Sequence, residues 1–160
     1  MVDVSRIVRV SPDAVFEVLA DGWTYSSWVV GNSHVRDVDP GWPKPGTRIH
    51  HSVGVWPAQI EDVTVVHDVQ PGRLLELDAR VWPLGSARVR LELTPVAAGT
   101  RVTMSEEALG GPLAALPHAL QAVLLRPRNT EALARLADLA EGRHAERGTP
   151  GAERVDRLRE

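Results

Sequence analysis

Two adjacent histidines, His50 and His51, are the side chains in this sequence best suited to proton transfer or metal binding. Residues 47–56 alternate as a β-strand does, so neighbouring side chains point to opposite faces and the pair cannot hold one ion from one side. Strand parity places His51 with Ile49 on the apolar face and His50 towards solvent. We therefore predict no metal site. His51 is either a hydrogen-bonded histidine near the core or a cavity group that orients a ligand or moves a proton.

Glu106 is the second candidate for acid–base chemistry. Parity along its strand groups it with Val102 and Met104 on the inner face. A carboxyl group there would be partly desolvated, which favours its acid form and suits general acid–base catalysis. The alternative is a salt bridge to an arginine or a helix cap at the end of the sheet. Asp62 and Thr64 are further candidates, on a strand whose facing depends on whether it contains a bulge.

Aromatic residues provide a possible binding wall. The chain has five Trp but one Phe and one Tyr, and Trp56 and Trp82 each precede a proline that closes a strand. They are interpreted either as tryptophans at the rim that cover the core or as an aromatic wall for a flat ligand. Trp23, Tyr25 and Trp28 lie together after the first helix and are candidates for a gate over the same cleft.

The elements that must position these residues follow from hydrophobic periodicity. The segment DVSRIVRV predicts an opening strand, Ser11 and Pro12 start a helix that Gly22 ends, and WTYSSWVVG predicts a second short helix or turn. Proline or glycine residues bound each later strand, which indicates antiparallel hairpins. Six such strands are predicted, at residues 33–39, 47–56, 58–69, 73–82, 86–96 and 100–109.

The periodicity becomes helical after Gly111. Leucines recur at positions 113, 116, 120 and 124, and again at 133, 136 and 139. Pro127 is expected to kink or break this helix near Arg126, with Asn129 or Thr130 capping a restarted helix. We predict one domain over residues 1–145 and a charged, disordered tail over residues 146–160.

Composition excludes several classes of protein. The chain has 160 residues, a net charge of −3 and no cysteine, so it lacks disulfides, thiolate zinc sites and the basic excess of a nucleic-acid-binding protein. It contains no predicted signal peptide or membrane span, and we expect a cytoplasmic protein. Walker, dinucleotide-binding, nucleophile-elbow and zincin motifs are absent, and no cofactor is predicted.

The order of these elements predicts an α+β domain. With the segments SPDAVFEVLADGWTYSSWV, QPGRLLELDARVWPLGSARVRLELTP, GTRVTMSEEALGGP and RPRNTEALARLADLAE, it resembles the helix-grip fold of the START-related SRPBCC superfamily, over residues 2–142. That superfamily includes polyketide cyclases and lipid-transfer domains. The resemblance implies a curved antiparallel sheet wrapped around a long C-terminal helix, with two short helices after the first strand and a mostly apolar cavity between sheet and helix.

Three functions are compatible with this fold. The first is binding of an apolar or aromatic small molecule, lipid- or polyketide-like, by a monomer or homodimer. The second is an enzyme of the polyketide cyclase or dehydratase type, with His51 or Glu106 transferring a proton. The third is an interaction module whose cavity is filled. The predicted ligand contacts are Trp23, Tyr25, Trp28, Val53, Trp56, Trp82, Val89, Leu91, Met104, Leu116, Leu120 and Leu124.

Overall fold

A computed structural model describes residues 1–54, 60–81 and 85–148 of the chain. Within them, seven strands and three α-helices follow one another, with a 3₁₀ turn at Gly22–Thr24 between the first two helices. The elements are β1 (Val2–Val8), α1 (Pro12–Ala20), α2 (Tyr25–Trp28), β2 (Asn32–Val38), β3 (Arg48–Val53), β4 (Ile60–Gln70), β5 (Leu74–Val81), β6 (Gly85–Val96), β7 (Gly99–Gly110) and α3 (His118–Gly148).

The strands form one antiparallel sheet in the order β1-β7-β6-β5-β4-β3-β2. Strands from β2 to β7 are therefore neighbours in sequence order, as short hairpin connections require. The opening strand β1 pairs with β7, so the first and last strands of the sheet are neighbours. Helix α3 packs on β1 and β7 and against α1 and α2. The α+β class and the helix-grip arrangement of a sheet around a long C-terminal helix are confirmed.

Alternation along β6 shows how the sequence builds a sheet with one apolar face. Ala87, Leu91 and Leu93 are buried on the inner face. The outer face carries ion pairs instead: Arg88 lies 2.8 Å from Asp78 across the β5–β6 pair. This cross-strand charge pair lies on the exposed face of the sheet, away from the core.

Helix α1 begins as the sequence predicts. The side chain of Ser11 accepts a hydrogen bond from the backbone N–H of Ala14 at 3.2 Å, and Pro12 occupies the first turn. The helix ends at Ala20, two residues before Gly22. A Cβ added at Gly22 would lie 2.8 Å from the side chain of Val38, so glycine here allows the turn before α2 to approach β2 closely.

The predicted break in α3 is wrong. One helix runs from His118 to Gly148 through Pro127. A proline removes one backbone hydrogen bond, and here buried residues on both sides of it, Leu125 and Leu133, hold the helix against the rest of the domain. No helix restarts at Asn129, whose side chain is buried and bonded to β7.

The direction predicted for two leucines on α3 is also wrong. Leu120 and Leu124 are 51% and 53% exposed. Helix α3 starts only after Pro117, and its buried face is set by residues at helical spacing from Leu125 onward. Projected back along the helix, that face passes through Gln121 and Ala122, so the leucines lie on the outward side. The buried face consists of Leu125, Asn129, Ala132, Leu133, Leu136, Ala137 and Ala140.

The predictions for Trp56 and Trp82 lie outside the described residues, and the prediction for the C-terminal tail lies partly outside them. The predicted tail begins at residue 146, whereas α3 continues to Gly148, and the rest of the tail is not described. The division at residue 145 stays a prediction. None of the described helices combines the length and apolar character needed to span a bilayer.

Candidate functional site

A cavity of about 30 Å³ lies between the sheet, α2 and α3. Its walls come from the inner face of β6 and β7, from α2 with the two residues after it, and from the middle of α3. Most of the lining is apolar, and the polar contribution comes mainly from α3. The lining residues are Tyr25, Trp28, Val29, Val30, Val89, Met104, Arg128, Asn129 and Ala132.

Helix α2 supplies the aromatic wall of this cavity. Tyr25 and Trp28 are 5% and 3% exposed, and their rings meet edge to face with centroids 5.4 Å apart. Trp23 lies one turn earlier and is 58% exposed, away from the cavity lining. Of the three residues predicted to form a gate, two therefore face the interior and one faces solvent.

A chain of hydrogen bonds connects Tyr25 to His51. The Tyr25 hydroxyl lies 3.0 Å from Thr64 Oγ1, and the same Thr64 oxygen lies 2.9 Å from His51 Nε2. All three side chains are buried on the inner face. Burial raises the pKa of Tyr25 to about 12, although the bond to Thr64 opposes this shift. Tyr25 is therefore a neutral phenol at pH 7.

Burial also determines the state of His51. It lowers the pKa of His51 below 6.5, and the negative charge of Asp62 opposes that shift only in part. The imidazole is therefore neutral at pH 7. His51 and Asp62 face each other across the β3–β4 pair. His50 lies on the opposite face, where its Nε2 is 3.0 Å from Asp39 Oδ1, as strand parity predicts.

Glu106 forms a second polar network, between β7 and α3. Its side chain is fully buried, and both carboxylate oxygens accept hydrogen bonds from Arg128 Nη2 at 2.6 Å. Asn129 Nδ2 donates to the same carboxylate at 2.7 Å. Charge-assisted bonds of this kind are about twice as strong as neutral ones. Of the two alternatives weighed for Glu106, the salt bridge to an arginine is the one present in the structure.

Four predicted ligand contacts lie together at the cavity: Tyr25, Trp28, Val89 and Met104. The other described candidates lie elsewhere. Leu91 is fully buried in the main core, and Leu116 packs in a smaller cluster with Val2, Leu113 and Leu125. Val53 is partly buried at the end of β3. Leu120 and Leu124 face outward, as described above.

Sequence reasoning missed the polar part of the cavity wall. Asn129 was predicted only as a possible helix cap and Arg128 was given no role, yet both donate to the Glu106 carboxylate of β7 and line the cavity. A signal was available: Asn129 is separated by four residues from both Leu125 and Leu133, which places a polar residue on the buried face of the helix. A buried asparagine needs a polar partner.

Across residues 1–54, 60–81 and 85–148, no group of three or more His, Cys, Asp or Glu side chains is arranged to hold a metal ion. His51 has Asp62 beside it but no third ligand of these types.

A curved antiparallel sheet closed by a long C-terminal helix, with a partly polar cavity between them, defines a helix-grip protein of the SRPBCC type. The chain belongs to the family described as "Polyketide cyclase / dehydrase and lipid transport", whose model matches residues 1–141. No curated protein sequence matches the chain.

Solved structures of the same fold include two aromatase/cyclases. The chain is similar to the Zhui aromatase/cyclase from Streptomyces sp. R1128, with 21% identity and a TM-score of 0.67, covering 92% of this chain and 96% of that one. It is similar to the di-domain ARO/CYC StfQ from the steffimycin biosynthetic pathway, with 14% identity and a TM-score of 0.67, covering 89% of this chain and 51% of that one. Protein CV1439 from Chromobacterium violaceum has 16% identity and a TM-score of 0.66, covering 88% and 96%. At these identities the likeness shows the fold.

Proposed function

We propose that this protein binds an apolar or aromatic small molecule, lipid- or polyketide-like, between its sheet and α3. The observation that carries the proposal is the cavity under α2, whose walls combine Tyr25, Trp28, Val89 and Met104 with two polar residues of α3. Apolar walls with a few convergent polar groups are the usual composition of a small-molecule site.

The cavity must widen to take such a ligand. Its volume of about 30 Å³ is far below the roughly 300–1,000 Å³ of typical ligand sites. Helix α2 is the element best placed to move, because it is a single turn with no side-chain cap and is followed by the irregular residues 29–31. Opening exposes apolar surface of Tyr25 and Trp28 to water, which is unfavourable. Burial of the ligand's own apolar surface, at roughly 25 cal/mol per Å², offsets that cost.

The family supports the same class of ligand. Its description names polyketide cyclases, dehydrases and lipid transport, and two structural neighbours are named aromatase/cyclases. Polyketides and lipids, the molecules in that description, have extended apolar or aromatic frames. A monomer or homodimer without cofactor remains our prediction for the assembly, and a cytoplasmic location remains our prediction for the compartment.

A second candidate function is an enzyme of the cyclase or dehydratase type. The observation that favours it is the hydrogen-bond chain from the cavity wall at Tyr25 through Thr64 to the neutral imidazole of His51. Such a chain can deliver or remove a proton at the cavity. Glu106 is less suited to that role, because Arg128 and Asn129 hold its carboxylate as an acceptor. In this candidate His51 moves the proton and Glu106 fixes α3.

Native mass spectrometry of protein purified from its own host tests the proposal. We expect a co-purified molecule that Trp28→Ala releases and Trp23→Ala retains, because Trp28 lines the cavity and Trp23 is exposed on the same segment. Equal retention by both variants would refute binding in this cavity. If His51→Gln keeps the molecule bound but stops its conversion, the enzyme is favoured; if no conversion occurs in the unmodified protein, binding alone remains.

A further inference from the structure

Three side chains at the β2–β4 end of the interior have buried polar atoms without a hydrogen-bond partner among the described residues. They are both amide atoms of Asn32, Nδ1 of His51 and Oδ2 of Asp62. His51 and Asp62 are 3% and 4% exposed and lie opposite one another on β3 and β4. Asn32 on β2 pairs with Val53 on β3, and Val53 is two residues after His51 on that strand. We call Asn32, His51 and Asp62 the hydroxyl cluster, after the ligand group that their chemistry fits.

The hydroxyl cluster differs from the rest of the polar interior. Thr64, Glu106 and Asn129 are also buried, and none of their buried side-chain polar atoms is without a hydrogen-bond partner among the described residues. Folded proteins keep few unpaired buried polar atoms, because each forfeits the hydrogen bonds that water gave it in the unfolded chain. Four such atoms on three neighbouring strands therefore indicate a site whose partner is supplied from outside the chain.

The chemistry of the four atoms specifies that partner. Asp62 Oδ2 only accepts hydrogen bonds, whereas the Asn32 amide both donates and accepts, and His51 Nδ1 does either. A ketone or ether oxygen would leave Asp62 unpaired, and an ammonium group would leave the Asn32 N–H groups unpaired. A hydroxyl group donates and accepts at one atom, so among these three groups it alone can donate to Asp62 and accept from the Asn32 N–H. We infer that the hydroxyl cluster recognises a hydroxyl group, so the ligand is an alcohol or phenol. This inference rests on the proposed function.

The cluster adjoins the cavity through Tyr25. The Tyr25 ring lines the cavity, and its centroid lies 5.4 Å from that of His51. Movement of α2 therefore joins the cavity to the cluster. A ligand hydroxyl that accepts from Nδ1–H of His51 and donates to Asp62 leaves Nε2 to accept from Thr64, whose oxygen then accepts from Tyr25. Nδ1 of His51 and Oδ2 of Asp62 gain a partner, the bonds of Thr64 and Tyr25 are kept, and the second lone pair of the ligand oxygen can accept from the Asn32 amide N–H.

Three probes that differ only in this group test the inference: 2-naphthol, 2-methoxynaphthalene and naphthalene, each titrated by calorimetry. We expect the unmodified protein to bind 2-naphthol at least about tenfold more tightly than 2-methoxynaphthalene, because a site built for a hydroxyl rejects analogues without one. Asp62→Leu should abolish that preference while naphthalene affinity changes less than about twofold. Asp37→Leu is the matched control, since Asp37 also accepts from the N–H of the next residue but is exposed.

The outcomes separate the inference from the proposed function. If all three probes bind equally well, the cavity binds apolar molecules and the hydroxyl cluster is overturned. If none binds, the proposed function fails and the inference with it. A preference that survives Asp62→Leu also overturns the cluster. As a second measurement, Asn32→Leu should leave Tm unchanged or raise it by a few degrees, because it removes two unpaired atoms; a clear fall in Tm would show that the amide is structural and would overturn the inference.

Discussion

Replacing the buried carboxylate at Glu106 tests the structural role assigned to it. Glu106→Gln preserves the shape of the side chain but removes its charge. One of the two oxygens becomes an NH₂ group, which then faces an N–H donor of Arg128 or Asn129. We expect a large loss of stability, because an uncompensated charge and a donor–donor contact remain in a place that water reaches poorly.

The structure sets the size of this loss. Removing one partner of a buried ion pair costs about 3–5 kcal/mol. The Glu106 side chain is fully buried, whereas that of Arg128 is 30% exposed and can partly return to water. The cost should therefore lie near the lower end, at about 3 kcal/mol. For a domain of this size each kcal/mol lowers Tm by roughly 2–4 °C, so the variant should melt about 6–12 °C lower.

Urea denaturation at pH 7, followed by tryptophan fluorescence, measures the change. Glu131→Gln is the matched control: Glu131 pairs with Arg135 at 2.8 Å, but both side chains are about half exposed, and such pairs contribute at most about 1 kcal/mol. The double variant Glu106→Leu/Arg128→Leu should regain part of the loss, since an apolar pair replaces the ion pair. If Glu106→Gln and Glu131→Gln had the same midpoint, the network would not hold α3 to the sheet.

Further predictions concern the histidine, a helix cap and the faces of α3. Burial lowers the pKa of His51 in the folded protein. As the pH falls below 6.5, the unfolded chain therefore binds this proton before the folded protein does, and the free energy of unfolding falls. His51→Gln should reduce that fall, as measured by urea titrations between pH 7 and 5. Ser11→Ala should cost about 1 kcal/mol by the same assay, because the N-cap bond to α1 is lost. Leu136→Ala should cost about 2–5 kcal/mol and Leu124→Ala under about 0.5 kcal/mol; similar costs would contradict the assigned faces.

Local pattern was enough to predict the strands and their faces. The side chains of a strand alternate strictly, so knowing that Ile49 is apolar fixes the side of His51 without any knowledge of its neighbours. Glycine and proline marked the ends of the hairpins in the same local way, and antiparallel neighbours follow from short connections. The inner position of His51 and the sheet order from β2 to β7 could therefore be predicted from the sequence.

Contacts between distant elements could not be predicted in this way. The partner of Glu106 is Arg128, 22 residues later on a helix whose rotation about its axis depends on packing against β1. Leu120 and Leu124 were assigned inward because their spacing is helical, yet spacing fixes only which residues share a face and not which way that face points. The position of Asn32 opposite Val53, two residues from His51 along β3, depends on an irregularity in the β2–β3 register between Asn32 and His34, which the sequence does not reveal.

The two polar networks of this interior make opposite predictions, and this difference separates structure from function. Both oxygens of the Glu106 carboxylate accept from Arg128, and one accepts from Asn129 as well, so replacing one of these residues leaves a partner unpaired and should lower stability. On Asn32, His51 and Asp62 four buried polar atoms lack partners within the described chain, so replacing the Asn32 amide by an apolar group removes a cost instead of adding one. A protein that retains such a cost without using it has no physical reason to keep these side chains polar. Stability measured for Glu106→Gln and Asn32→Leu in one series therefore tests, by the sign of each change, which network holds the fold and which awaits a ligand.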